Sequence, residues 1–89
     1  MSYRVFIDPD ALGALGNLPR PVQERIRDAI DDKLKRNPRG FWAKELKQAG
    51  GLHRLRVGNY RIVYAVREDP DAHAVILAIG HRQDVYEDL

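Results

Sequence analysis

The chain has 89 residues, 44% of them hydrophobic and 31% charged, with a net charge of +2 and no cysteine. That length predicts one domain over residues 1–89 with a single core, and the absence of low-complexity tracts or repeats argues against disorder or a solenoid. The lack of cysteine excludes disulfides, thiolate chemistry and sulfur-bound zinc, and with no long apolar run for a signal peptide or membrane span the expectation is a cytoplasmic protein.

Residues 3 to 7 alternate, with Tyr3, Val5 and Ile7 on one side and Arg4 and Phe6 on the other, which predicts a first strand. Asp8-Pro9-Asp10 then offers a carboxylate cap and a first-turn proline for a helix leading to Leu12 and Leu15, kept short by Gly13 and Gly16. After the turn at Leu18-Pro19-Arg20-Pro21, the residues Val22, Ile26, Ala29, Ile30 and Leu34 recur at helical spacing, so a long second helix is expected. It should stop at Asn37-Pro38, because the residue before proline is driven out of the helical region.

Residues 39 to 51 carry little periodicity and read as a basic loop or a short helical turn ending at Gly50-Gly51. Leu52 to Val57 and Tyr60 to Arg67 follow as a hairpin joined by Gly58-Asn59, residue types that tolerate the positive φ of a tight turn. Ala74 to Gly80 is a last buried strand, on which alternation puts Val75, Leu77 and Ile79 on one face and Ile76, Ala78, Gly80 and Arg82 on the other. The predicted class is α+β, in the order β-α-α-β-β-β, with a helix hairpin packed on one face of a mainly antiparallel four-stranded sheet.

Charge is distributed unevenly along this order. Residues 33 to 67 hold ten Lys or Arg and one acid, a local +9, whereas the remainder of the chain sums to −7. A basic middle between acidic flanks suits a protein with one face turned to a polyanion. Within the hairpin, Arg54 and Arg56 share a face opposite His53, Leu55 and Val57, and Arg61 and Arg82 are placed to converge with them. Four guanidinium groups beside the small residues of the last strand form the candidate site, since each is a rigid fork of donors for phosphate oxygens and can stabilise charge that builds on phosphorus. Proton transfer needs other groups. His81 is the first acid/base candidate by residue type and Tyr86 the second. No His/Asp/Glu cluster has metal-ligand spacing and the glycine pairs suit turns, so neither metal nor cofactor is expected.

The run from Gly51 to Tyr64, GLHRLRVGNYRIVY, followed by Ile79-Gly80-His81-Arg82-Gln83-Asp84-Val85-Tyr86, resembles the RelE/ParE toxin superfamily, and the likeness spans nearly the whole chain. The resemblance implies a RelE-like fold and a toxin held inactive by an antitoxin. For the RelE branch it implies a ribosome-dependent endoribonuclease that cuts mRNA by 2′-hydroxyl attack. On that likeness Arg61 corresponds to the arginine that stabilises phosphate charge, Arg82 to the C-terminal site arginine and Tyr86 to the terminal site tyrosine. Arg54 and Arg56 occupy positions that are often lysine in that branch, and Lys44 and Lys47 fall in its basic connection, so these four are expected to bind RNA. Arginine is a poor base, which shifts the expected proton chemistry towards His81.

The expected function is a type II toxin that cleaves mRNA on the ribosome, with an acidic antitoxin, the ribosome and mRNA as partners and no membrane contact. The competing expectations are a ParE-type gyrase inhibitor of the same fold and a non-catalytic RNA-binding module.

Overall fold

The computed structural model describes residues 3–40, 43–45, 51–68 and 71–81. Strand β1 (Arg4–Ile7) leads into α1 (Pro9–Gly16), whose first turn is capped by the Asp8 carboxylate accepting from the Asp10 amide at 3.1 Å. The cap and the proline start the helix where the sequence places it. Ala11 and Leu15, one turn apart, are its buried residues, while Leu12 remains 55% exposed.

Helix α2 (Arg20–Ala29) presents Ile26 and Ala29 to the core and then widens into a π-helical segment, Ile30–Leu34. There the Lys35 amide donates to the Ile30 carbonyl at 2.9 Å, five residues back. The spacing alone suggested one continuous α-helix. Ile30 and Leu34 are both buried, and the Lys35 carbonyl at the helix end accepts from the Tyr3 amide at 2.6 Å, which ties that end to the strand that starts the fold.

The sheet has five strands, one more than expected. In chain order they are β1, β2 (Ala43–Glu45), β3 (Leu52–Val57), β4 (Tyr60–Arg67) and β5 (His73–His81), arranged β1-β5-β4-β3-β2. The extra strand arises in the segment read as a loop or helical turn, where three residues pair antiparallel with the edge of β3. Three residues are too few to show alternation in sequence, and pairing satisfies backbone groups that β3 otherwise leaves at an open edge. β1 pairs parallel with β5, and every other neighbour is antiparallel.

The helices cover one face of this sheet. Leu55, Ile62, Tyr64, Val66, Ala74, Ile76 and Ile79 meet Leu15, Ile26, Ile30 and Leu34 in the core. One expectation for β5 fails. A bulge opposite Val63 and Tyr64 leaves Leu77 without a partner, so Ile76 and Ile79, three residues apart, both face the helices and Leu77 turns out to solvent. An inserted residue reverses the alternation beyond it. Past the bulge, Ala78 and Gly80 lie on the second face as expected.

Candidate functional site

The second face of the sheet carries the cations. Register places Lys44 beside Arg54, Arg56 beside Arg61, and Arg61 beside Gly80, all on the side away from the helices. Further along, Val63 and Ala65 on the same side are buried although they do not belong to the helix-side core. The accessible part of this face therefore lies towards the β3–β4 turn, where Arg56 is exposed.

Arg56 and Arg61 are a directly opposed like-charged pair, an arrangement that costs stability in an antiparallel ladder. Arg61 is half-buried with its Nε inside the protein, and its other neighbour, Gly80, contributes no side chain. Arg56 and Arg61 thus begin a cationic row that Arg54 and Lys44 continue to the sheet edge. An anion laid on this row would meet planar donor forks. Elsewhere in the basic segment Lys35 pairs with Asp31 at 2.8 Å and Arg39 with Glu68 at 2.6 Å.

His81 falls on the other face. Its backbone partner on β4 is Tyr60, and the two rings meet edge to face with centroids 5.7 Å apart. The structure thus brings Lys44, Arg54, Arg56 and Arg61 together and sets His81 across the sheet from them. Lys47, Arg82 and Tyr86 lie outside the described residues. His53 is buried and stacks on Tyr64, with ring centroids 5.6 Å apart. His73 sits at the far end of β5 against Phe6.

Tyr64 fixes the frame beneath the row. Its hydroxyl donates to the Pro38 carbonyl at 2.6 Å, linking mid-sheet to the turn that follows the helical segment. Burial pushes the phenol well above its ordinary range, with Arg39 opposing the shift. At the opposite edge of the hairpin, Val22, Arg25, Val57, Gly58, Asn59 and Tyr60 line a pocket of about 160 Å³ between α2 and the turn. The sequence gives Asn59 only a turn role and Arg25 none, because the approach of α2 to the turn is a tertiary contact with no local pattern. Among the described residues no group of three or more His, Cys, Asp or Glu gathers in a metal-binding arrangement.

A helix pair on one side of a mixed five-stranded sheet, with Lys44, Arg54, Arg56 and Arg61 on the other side, defines a small α+β domain with one basic face. Residues 5–86 match the model of the ParE toxin of type II toxin-antitoxin systems, and the chain belongs to this RelE/ParE toxin superfamily. It is 31% identical to the protein named toxin RelE1 of Methanocaldococcus jannaschii, over 98% of each chain. Among solved structures it is similar to the Mycobacterium tuberculosis RelBE2 toxin-antitoxin complex, with a TM-score of 0.81, 28% identity, and coverage of 92% of this chain and 100% of that one. It is also similar to the RelE-RelB complex of Pyrococcus horikoshii, with a TM-score of 0.75, 31% identity, and coverage of 94% and 99%.

Proposed function

We propose that this toxin is an endoribonuclease that cuts mRNA in the ribosome and is silenced by an acidic antitoxin bound as a hetero-oligomer. The observation that carries the reading is the opposed Arg56–Arg61 pair beside Gly80 on the accessible end of the sheet. Two guanidinium groups at directly opposed positions, beside a residue with no side chain, offer the planar donor forks that suit a phosphodiester. Relatives named or solved as RelE toxins, two of them with RelB, support the branch and the kind of partner.

In this reading Lys44, Arg54 and Arg56, with Lys47, hold the RNA backbone, and Arg61, with Arg82, stabilises charge on the reacting phosphate. The 2′-oxygen attacks phosphorus as its proton leaves, the bond to the 5′-oxygen breaks, and that oxygen takes up a proton. The products are a 2′,3′-cyclic phosphate and a 5′-hydroxyl. Because His81 packs on Tyr60 across the sheet, Tyr86 takes precedence over His81 as the proton-transfer group at this phosphate.

The match to a ParE model favours a second reading, inhibition of DNA gyrase through the same basic face. One experiment separates them: map RNA ends on translated and untranslated mRNA after induction, with Arg61→Ala as control. New ends confined to translated messages, lost or reduced about 10²- to 10³-fold by Arg61→Ala in a protein of unchanged thermal stability, are expected if Arg61 stabilises charge in the transition state. Intact mRNA accompanied by DNA damage would transfer the assignment to gyrase.

A further inference from the structure

Strand β1 forms one side of the sheet, and its outer edge is open. The Asp8 amide donates to the Ile76 carbonyl at 2.8 Å, so the even-numbered backbone groups of this segment turn towards β5 and the odd-numbered ones turn outwards. Of the outward groups, the Tyr3 amide is taken by the Lys35 carbonyl at 2.6 Å. Among the described residues, the amides and carbonyls of Val5 and Ile7 have no ladder partner on that side. Proteins usually blunt such an edge with charge, proline or a covering segment. Here Phe6 stands 52% exposed above it, despite an edge-on contact with His73, on the face away from the helices.

We infer that this edge receives a second copy of the chain, β1 against β1 and antiparallel, about a two-fold axis at Phe6. The register follows by elimination, because only the outward, odd-numbered residues can exchange hydrogen bonds. Pairing Val5 with Val5 would set Ile7 against Tyr3, whose amide is already committed. Pairing Ile7 with Ile7 would set Val5 against Pro9, which has no amide. Val5 against Ile7 satisfies every open group of both copies.

The same register sorts the side chains. Phe6 meets Phe6 of the second copy at the closely spaced position, and Arg4 meets Asp8 on each flank, pairs that stabilise an antiparallel ladder. The Asp8 carboxylate uses one oxygen for the helix cap and has a second for the arginine. Val5 and Ile7, only partly buried in the monomer, cover each other on the helix side. An acidic partner segment would instead run against Asp8 and Asp10. The axis is perpendicular to the sheet, so the two copies share one continuous sheet with both cationic rows on the same side. The pairing is shorter than a standard interface, which makes association weak and concentration-dependent, and it holds whichever target the toxin attacks.

Sedimentation equilibrium and single-cysteine cross-linking test the pairing. The chain has no cysteine, so a disulfide reports only the position where one is introduced. Under oxidation Phe6→Cys should join two copies at least about tenfold faster than Arg4→Cys. Opposed Cα atoms at the Phe6 position are about 4.5 Å apart, whereas the two Arg4 positions are offset by roughly 13 Å, beyond disulfide reach. Wild type should double in mass with concentration below about 1 mM, and Phe6→Lys, which opposes two ammonium groups, should raise the dissociation constant at least about tenfold. Thermal unfolding within a few degrees of wild type certifies each variant. A toxin that stays monomeric to about 1 mM, equal cross-linking at the two positions, or a dimer indifferent to Phe6→Lys overturns the proposal. A monomeric toxin in which Phe6→Lys weakens antitoxin binding gives the edge to the antitoxin and equally overturns it.

Discussion

At the scale of single residues, two side chains make sharp demands on experiment. Tyr64 is fully buried, donates to Pro38 at 2.6 Å, and has its ionisation pushed upward by burial. Tyr64→Phe removes the donor and leaves a buried carbonyl unsatisfied, a loss of about 1–3 kcal/mol near neutral pH, read by urea unfolding. The pH dependence follows from the sign of the shift. A phenol that ionises later in the folded state than in the unfolded chain lends stability that is complete below about pH 10 and declines as pH rises above it, because the unfolded state gives up its proton first. The alkaline decline should therefore be steeper in wild type than in Tyr64→Phe. The second demand concerns proton transfer. His81 is paired with Tyr60 on the helix side of the sheet, whereas Arg61 faces the other way. Single-turnover cleavage should fall by 10²-fold or more in Tyr86→Phe and by much less in His81→Ala, as general acid–base groups usually contribute 10²- to 10⁴-fold. A larger loss at His81 would restore the histidine that residue type alone selects.

Among the elements, β5 shows where sequence patterning stops. Strict alternation puts Leu77 and Ile79 on one face, yet the bulge separates them: Ile79 is 4% exposed and Leu77 36%. Ile79→Ala should cost about 2–5 kcal/mol, the usual range for truncating a core aliphatic, while Leu77→Ser should stay within about 0.5 kcal/mol. Equal losses at the two positions would contradict the register. β1, both helices, the hairpin and the last strand are all legible in the chain because their signals are local: a cap and proline at Asp8-Pro9, helical spacing from Val22 to Leu34, and a glycine that takes positive φ at the turn. The bulge, the π-helical turn and β2 are not legible, because each adjusts one element to a neighbour that the local pattern does not contain. The same division runs through the site. Arg54, Arg56 and Arg61 can be placed on one face by counting along a hairpin, whereas the separation of His81 depends on which β4 residue it meets, and the pocket depends on where α2 lands.

For the molecule as a whole, the unequal charge along the chain becomes a spatial one, with Lys44, Arg54, Arg56 and Arg61 on a face that the helices do not cover. If that face binds RNA as proposed, it has to be shielded until it is needed, and the similar structures from M. tuberculosis and P. horikoshii are toxin complexes with a protein partner. An Asp- and Glu-rich antitoxin segment lying on the row should be steered to it, so its association rate should fall steeply with ionic strength. Arg54→Ala and Arg56→Ala should slow association several-fold at low salt and flatten that dependence, with smaller effects on dissociation. Dissociation should answer to apolar contacts instead. Leu15 is buried in the core and Leu18 half-buried, but Leu12 projects from α1 at 55% exposure and is the available anchor, so Leu12→Ser should shorten the lifetime of the complex more than it slows its formation. Stopped-flow association and surface-immobilised dissociation of the toxin with the product of its neighbouring reading frame measure both. An association rate indifferent to salt and to both arginines would mean that the antitoxin leaves the cationic row uncovered and silences the toxin from somewhere else.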